Sequence, residues 1–194
     1  MNPQAATLRL AVFPRSGLLT DVLLVAAGAG LVALAAQFEI MLGFTPVPIS
    51  GQTFAVLLVG AAYGPALGAA SLLLYFFVGL VGAPVYSGGQ GGWEIVKGAT
   101  GGYLIGFIVA ALLAGWLATR RWDRRFNTAV AAMLTGSVVI YAFGLPWLAA
   151  TQDLGLEATL EAGLYPFVVG DLLKLYLAGA LLPSAWKLVQ RLRG

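Results

Sequence analysis

The chain has no cysteine and no histidine, and only 10% of its residues are charged, against about 25% in a soluble domain. Without cysteine there is no disulfide framework. Without either residue the usual transition-metal ligands and the commonest catalytic base are gone, so no metal or other cofactor is expected. No GK[ST] phosphate loop follows a strand, so the chain brings no ATP-binding loop of its own. The net charge of +3 does not call for a nucleic-acid partner: the basic residues flank apolar segments, where positive charge has a topological explanation. No cleavable signal peptide is apparent at the start.

Hydrophobic residues make up 60% of the chain, and several apolar stretches approach or exceed the ~20 residues of a spanning helix. None shows the alternation of an outer-membrane barrel. The expected fold class is an all-α membrane protein, a single domain over 1–194 with six spans near 20–42, 52–63, 66–81, 100–119, 128–150 and 164–186. Six spans put both ends on one side. Nine of the eleven basic residues then fall at the termini (Arg9, Arg15, Lys187, Arg191, Arg193) and in the loop after span four (Arg120, Arg121, Arg124, Arg125), which makes that side cytoplasmic. The three longer loops face outside.

Those loops differ in character. Residues 1–17 form a short polar lead. In span one, Ala26, Ala29, Gly30 and Ala33 place small residues at four-residue spacing, which allows close helix approach within the bundle or to a partner subunit. GFTPVPISGQT (43–53) carries two prolines that forbid a continued helix; the short run after it hints at irregular backbone dipping toward a site, tolerated only under protein cover. The glycine-rich loop 82–102 is interleaved with Tyr86, Gln90, Trp93, Glu94 and Lys97 and reads as a lid folding onto something. The loop 151–163 is acidic, with Asp153, Glu157 and Glu161.

The most informative stretch is LYPFVVGDLLKLYLA, Leu164 to Ala178. Asp171 and Lys174 stand three residues apart, on one face of a helix. With Pro166 in the first turn, Lys174 lies on the order of 12 Å deep, near the middle of a ~30 Å hydrocarbon core. Ionisable groups at such depth face a bundle interior or cavity and mark function by default; the alternative is a self-neutralising pair that only locks helix packing. A pocket open to the outside, roofed by loops and floored by an acid and a base, suits capture of a small polar ligand. Catalysis fits less well. A Ser-His protease is excluded by the absence of histidine, an aspartyl protease lacks its second membrane aspartate, and Ser71, Ser87 or Ser137 beside Lys174 reads as helix packing. No enzyme is expected.

Six segments, AAQFEI (35–40), FTPVPISGQT (44–53), YGPALGAASLLLY (63–75), GAPVYSGGQGG (82–92), GATGGYLIGF (98–107) and VGDLLK (169–174), appear in order over nearly the whole chain. Together they resemble the BioY family, the biotin-specific S components of energy-coupling factor (ECF) transporters. The resemblance implies a six-helix subunit in the inner (plasma) membrane of a prokaryote that captures biotin from outside. It implies partnership with a membrane scaffold subunit and two cytosolic ATPases, which supply the energy this chain lacks. The family's Asp and Lys fall on Asp171 and Lys174. The loops after spans one and three are expected to cover the ligand, and Ala29 and Ala33 look like the face docking on the scaffold. Ala66, Tyr86, Ala99 and Val169 depart from the family's usual residues; of these only Tyr86, whose hydroxyl could add a contact, touches the expected site. Asp171 would accept from the ureido N–H groups, Lys174 would donate to the ureido oxygen or the carboxylate, and Gln52, Tyr86, Ser87, Gln90 and Tyr103 would finish the site. The competing readings are an S component for another vitamin and a stand-alone proton-coupled carrier.

Overall fold

The computed structural model describes residues 6–14 and 17–193; Arg15, one of the basic residues assigned above to the cytoplasmic side, lies outside them. The fold is helical, with α1 (Leu8–Val12), α2 (Leu18–Ala36), α3 (Gln52–Tyr63), α4 (Pro65–Leu80), α5 (Trp93–Lys97), α6 (Gly101–Thr119), α7 (Phe126–Gln152), α8 (Leu156–Gly163) and α9 (Val168–Arg193). Between α2 and α3 lies a small antiparallel hairpin, β1 (Glu39–Ile40) against β2 (Ile49–Ser50). Among the described residues, α2, α6, α7 and the helical stretch ending in α9 are long and apolar enough to cross a membrane, while α3 and α4 are shorter apolar helices of 12 and 16 residues.

Helix α6 is the centre. It packs against α3, α4 and α7, while α2 lies on α4 and α9 lies on α7 and α3. Small residues make this possible. A Cβ on Gly60 would stand 2.5 Å from the Ala111 carbonyl oxygen, and one on Gly102 would stand 2.3 Å from the Trp147 side chain. In each case two helix backbones approach closer than any larger side chain allows. Gly64, at φ +87, supplies the left-handed conformation between α3 and α4, and Pro65 then starts α4 at a position where its missing N–H is harmless.

The structure redraws several expected boundaries. The first long helix stops at Ala36 rather than Leu42, because the chain turns at Gln37 to pair β1 with β2. The polar lead contains α1, whose Ala11 packs under Trp186. The glycine-rich lid contains α5. The acidic loop is mostly helical, as α8, with Thr159 and Gly163 buried and its glutamates exposed. Pro166 sits in a tight turn, Tyr165–Phe167, so α9 begins at Val168 and Asp171 lies in its first turn.

Candidate functional site

Both loop systems converge on the N-terminal ends of α3, α6 and α9. Beneath them is a cavity of about 210 Å³. Its floor is the charged pair: Lys174 Nζ donates to Asp171 Oδ1 at 3.1 Å and to Thr53 Oγ1 at 2.9 Å. The helical spacing of three residues brings acid and base together, and Thr53 arrives from the second residue of α3, immediately after the hairpin. Asp171 is 9% exposed, and its Oδ2 accepts a hydrogen bond from Tyr141 of α7. The pair is thus largely withdrawn from solvent yet opens onto the cavity. An ammonium has three N–H donors, and two are occupied here, so one remains for an incoming acceptor.

All seven residues expected at a ligand site, Asp171, Lys174, Gln52, Tyr86, Ser87, Gln90 and Tyr103, line this one cavity. Their polar groups are committed in different ways. Gln52 donates to Tyr75 Oη at 2.6 Å and accepts from Ser50 Oγ at 2.9 Å, so its amide braces the hairpin against α4. The Tyr86 hydroxyl is turned away: it donates to the Phe76 carbonyl at 2.6 Å, and the buried ring meets Tyr75 edge-on. The expected extra ligand contact from that hydroxyl is therefore replaced by a fixed apolar wall. Burial pushes the Tyr86 phenol up to about 12, so it stays a donor at neutral pH. Tyr103 donates to the Gly163 carbonyl at 3.0 Å, while the Gln90 side chain lies exposed at the rim.

Ser87 connects the two lids. It donates to Glu39 Oε2 at 2.6 Å, and Gln37 Nε2 reaches the Tyr86 carbonyl at 3.4 Å. Gly88, at φ +65, leaves room for the Glu39 carboxylate, which would lie 2.4 Å from a Cβ there. On the far side, Thr45 donates to the Ala162 carbonyl, so the first lid also grips α8. The cavity roof is thus one connected hydrogen-bonded layer drawn from three loops.

Sequence reasoning missed Tyr141, Thr53 and Glu39. Tyr141 sits in an apolar run, VVIYAFG, that signals only a helix; Thr53 and Glu39 stand in quoted motifs, but nothing in their spacing says which way they turn. The expected docking residues are placed differently from each other: Ala29 is 7% exposed and turned into the core, Ala33 is half-buried against it, and the exposed small residues of α2 are Ala26, Ala27 and Gly30.

A multi-pass helical membrane protein with an acid–base pair at the bottom of a loop-roofed cavity, and no nucleophile–histidine arrangement, is by its geometry a small-ligand binding protein. Comparison with known proteins gives the family. The profile of the BioY family matches residues 4–191, and the chain belongs to that family. It is 37% identical over 158 residues to a biotin transporter BioY of Rhizobium etli, covering 78% of this chain and 84% of the relative. It is 38% identical over 154 residues to a probable biotin transporter BioY of Pyrococcus horikoshii, covering 79% and 88%. The crystal structure of the S-component for biotin from an ECF-type ABC transporter superposes with a TM-score of 0.76 at 25% identity, covering 87% of this chain and 92% of that one. The chain is accordingly a transport protein and not an enzyme.

Proposed function

We propose that this chain is the biotin-capturing S component of an ECF-type vitamin uptake transporter. The observation that carries the reading is the Asp171–Lys174 pair at the floor of a cavity roofed by both expected lids, in a chain whose relatives are biotin transporters. Biotin's ureido group offers N–H donors and a carbonyl acceptor. Asp171 accepts the former, and the remaining N–H of Lys174 donates to the ureido oxygen or to the ligand's carboxylate. Gln52, Ser87, Gln90, Tyr103 and the Tyr86 ring form the walls.

The chain crosses the inner (plasma) membrane of a prokaryote six times with both termini cytoplasmic, α3 and α4 serving as short spans joined at Gly64–Pro65. The basic residues at 120–125 and at the C-terminal end support that orientation. It works with a membrane scaffold subunit and two cytosolic ATPases, the scaffold meeting α2 along its exposed small-residue face, at Ala26 and Gly30 with the half-buried Ala33 beside them, while Ala29 faces the core. Calorimetric titration of the detergent-solubilised chain with biotin, beside riboflavin, thiamine and biotin analogues, tests this. Tight and selective biotin binding is expected. Preference for another vitamin overturns the ligand, and uptake driven by a pH gradient in vesicles without ATPase partners overturns the ECF assignment.

A further inference from the structure

Tyr141 has so far appeared only as a hydrogen-bond donor to Asp171. Its placement says more. It is the single tyrosine of α7 and lines the cavity. Its ring is held edge-on against Tyr103 at 6.3 Å and 85°, and Tyr103 is itself anchored to the Gly163 carbonyl. The Tyr141 hydroxyl, so braced, donates to Asp171 Oδ2 while Lys174 takes Oδ1. Each oxygen of the carboxylate therefore has one partner, from two different helices. A carboxylate offers about four acceptor sites, so acceptor capacity remains on both oxygens. Held only by Lys174, three residues away on its own helix, the group could turn about its side-chain torsions. The bond from α7 removes that freedom before any ligand arrives, and ordering a group in advance is a direct source of affinity.

We propose that Tyr141 is a positioning residue for ligand capture, fixing the Asp171 carboxylate in the orientation that receives the paired N–H donors of a urea-like ligand group. The proposal rests on the reading of Asp171 as the ligand's acceptor. It makes binding depend on the relative placement of α7 and α9, and not on α9 alone.

The test is a double-mutant cycle on the full chain, with biotin affinity read by equilibrium dialysis at high protein concentration so that weak binding registers. Tyr141→Phe keeps the ring and its packing on Tyr103 and removes only the donor. It is expected to weaken biotin binding about tenfold, the weight of one hydrogen bond to a charged group. In an Asp171→Asn background the same change is expected to have no further effect, because the group it orients has lost its charge. A wild-type affinity in Tyr141→Phe overturns the proposal, and so does an equal loss in both backgrounds, which marks a general packing role. If Asp171→Asn binds nothing at all, the Tyr141→Phe arm decides alone, with unliganded thermal midpoints within a few degrees of wild type separating positioning from misfolding. Failure of the unmodified chain to bind biotin instead overturns the functional reading, and this proposal with it.

Discussion

Two buried aspartates stand near opposite ends of α9, and they are treated differently. Asp171, in the first turn, has Lys174 and Tyr141 as partners and faces a cavity. Asp123, in the tight turn between α6 and α7, is 1% exposed. It accepts from the Trp186 indole, yet among the described residues its Oδ1 has no hydrogen-bond partner. Arg124 stacks over Trp186 at 4.1 Å rather than gripping that free oxygen. Burial pushes the Asp123 carboxyl up to about 6, against smaller lowering effects from the Trp186 bond and the Arg124 charge. Burial of a carboxylate is thus common to both ends, and it does not by itself mark function. The difference lies in whether the carboxylate's spare acceptor capacity faces an open cavity, as it does at Asp171 and not at Asp123.

The largest expected effect separates the ends outright. Asp171→Ala leaves Lys174 half-buried with only Thr53, so unfolding stability is expected to fall by about 3–5 kcal/mol and biotin binding to disappear. Replacing both partners, Asp171→Leu with Lys174→Met, is expected to restore the thermal midpoint without restoring binding. Thermal unfolding with and without biotin reads both outcomes; recovery of binding in the apolar pair would show that the charges serve only packing.

Smaller effects sharpen the contrast. Thr53→Val removes an acceptor that holds Lys174 in place, and titration is expected to show biotin binding weakened several-fold with the fold intact. Ser87→Ala cuts the bond between the lids at Glu39, so biotin is expected to dissociate a few-fold faster while the unliganded thermal midpoint barely moves, as rapid-dilution kinetics would record. Asp123→Asn is expected to leave biotin affinity unchanged and to alter only the pH dependence of stability. A carboxyl raised from 3.8 to about 6 on folding holds its proton longer in the folded state. Its contribution is therefore fully present below its ordinary value and lost as pH rises through about 6. Wild type minus variant stability should fall between those values and then level off, a slope that thermal melts across that range would detect.

Much of the fold was legible because membrane physics is written in single residues. Asp171 and Lys174 stand out in an apolar run, and a spacing of three already places them on one face. Gly64–Pro65 announces a helix break, and the prolines of FTPVPIS announce the loop after the first helix, though the apolar run to Leu42 overstates the end of that helix, which stops at Ala36. Other features were not legible. The loop at 151–163 stands out in the sequence for its three acidic residues and no basic one, and that it forms a helix with Thr159 and Gly163 packed inward is seen only in the structure. The Tyr86 hydroxyl turns to the Phe76 carbonyl because the ring is wedged beside Tyr75, which no local pattern reveals.

Hydropathy was least informative about burial. Helices α2 and α6 are each 19 residues long, with mean hydropathy 2.2 and 1.9 over their most apolar 18 residues, yet 17% of that stretch is buried in one and 67% in the other. In a bilayer, lipid tails are as apolar as a protein core, so hydrophobicity cannot say which helix lies inside; the glycines and alanines along α6 can, because they permit close approach.

By itself the sequence determined the membrane class, the distribution of basic residues and the pairing of Asp171 with Lys174, since composition and helical spacing are properties of the chain alone. The tertiary structure decided that Tyr141 and Thr53 hold that pair, that Ser87 ties the lids through Glu39, and that Asp123 is sealed under Trp186. Each of these contacts joins residues far apart in the chain, and their meeting depends on how the helices pack against α6.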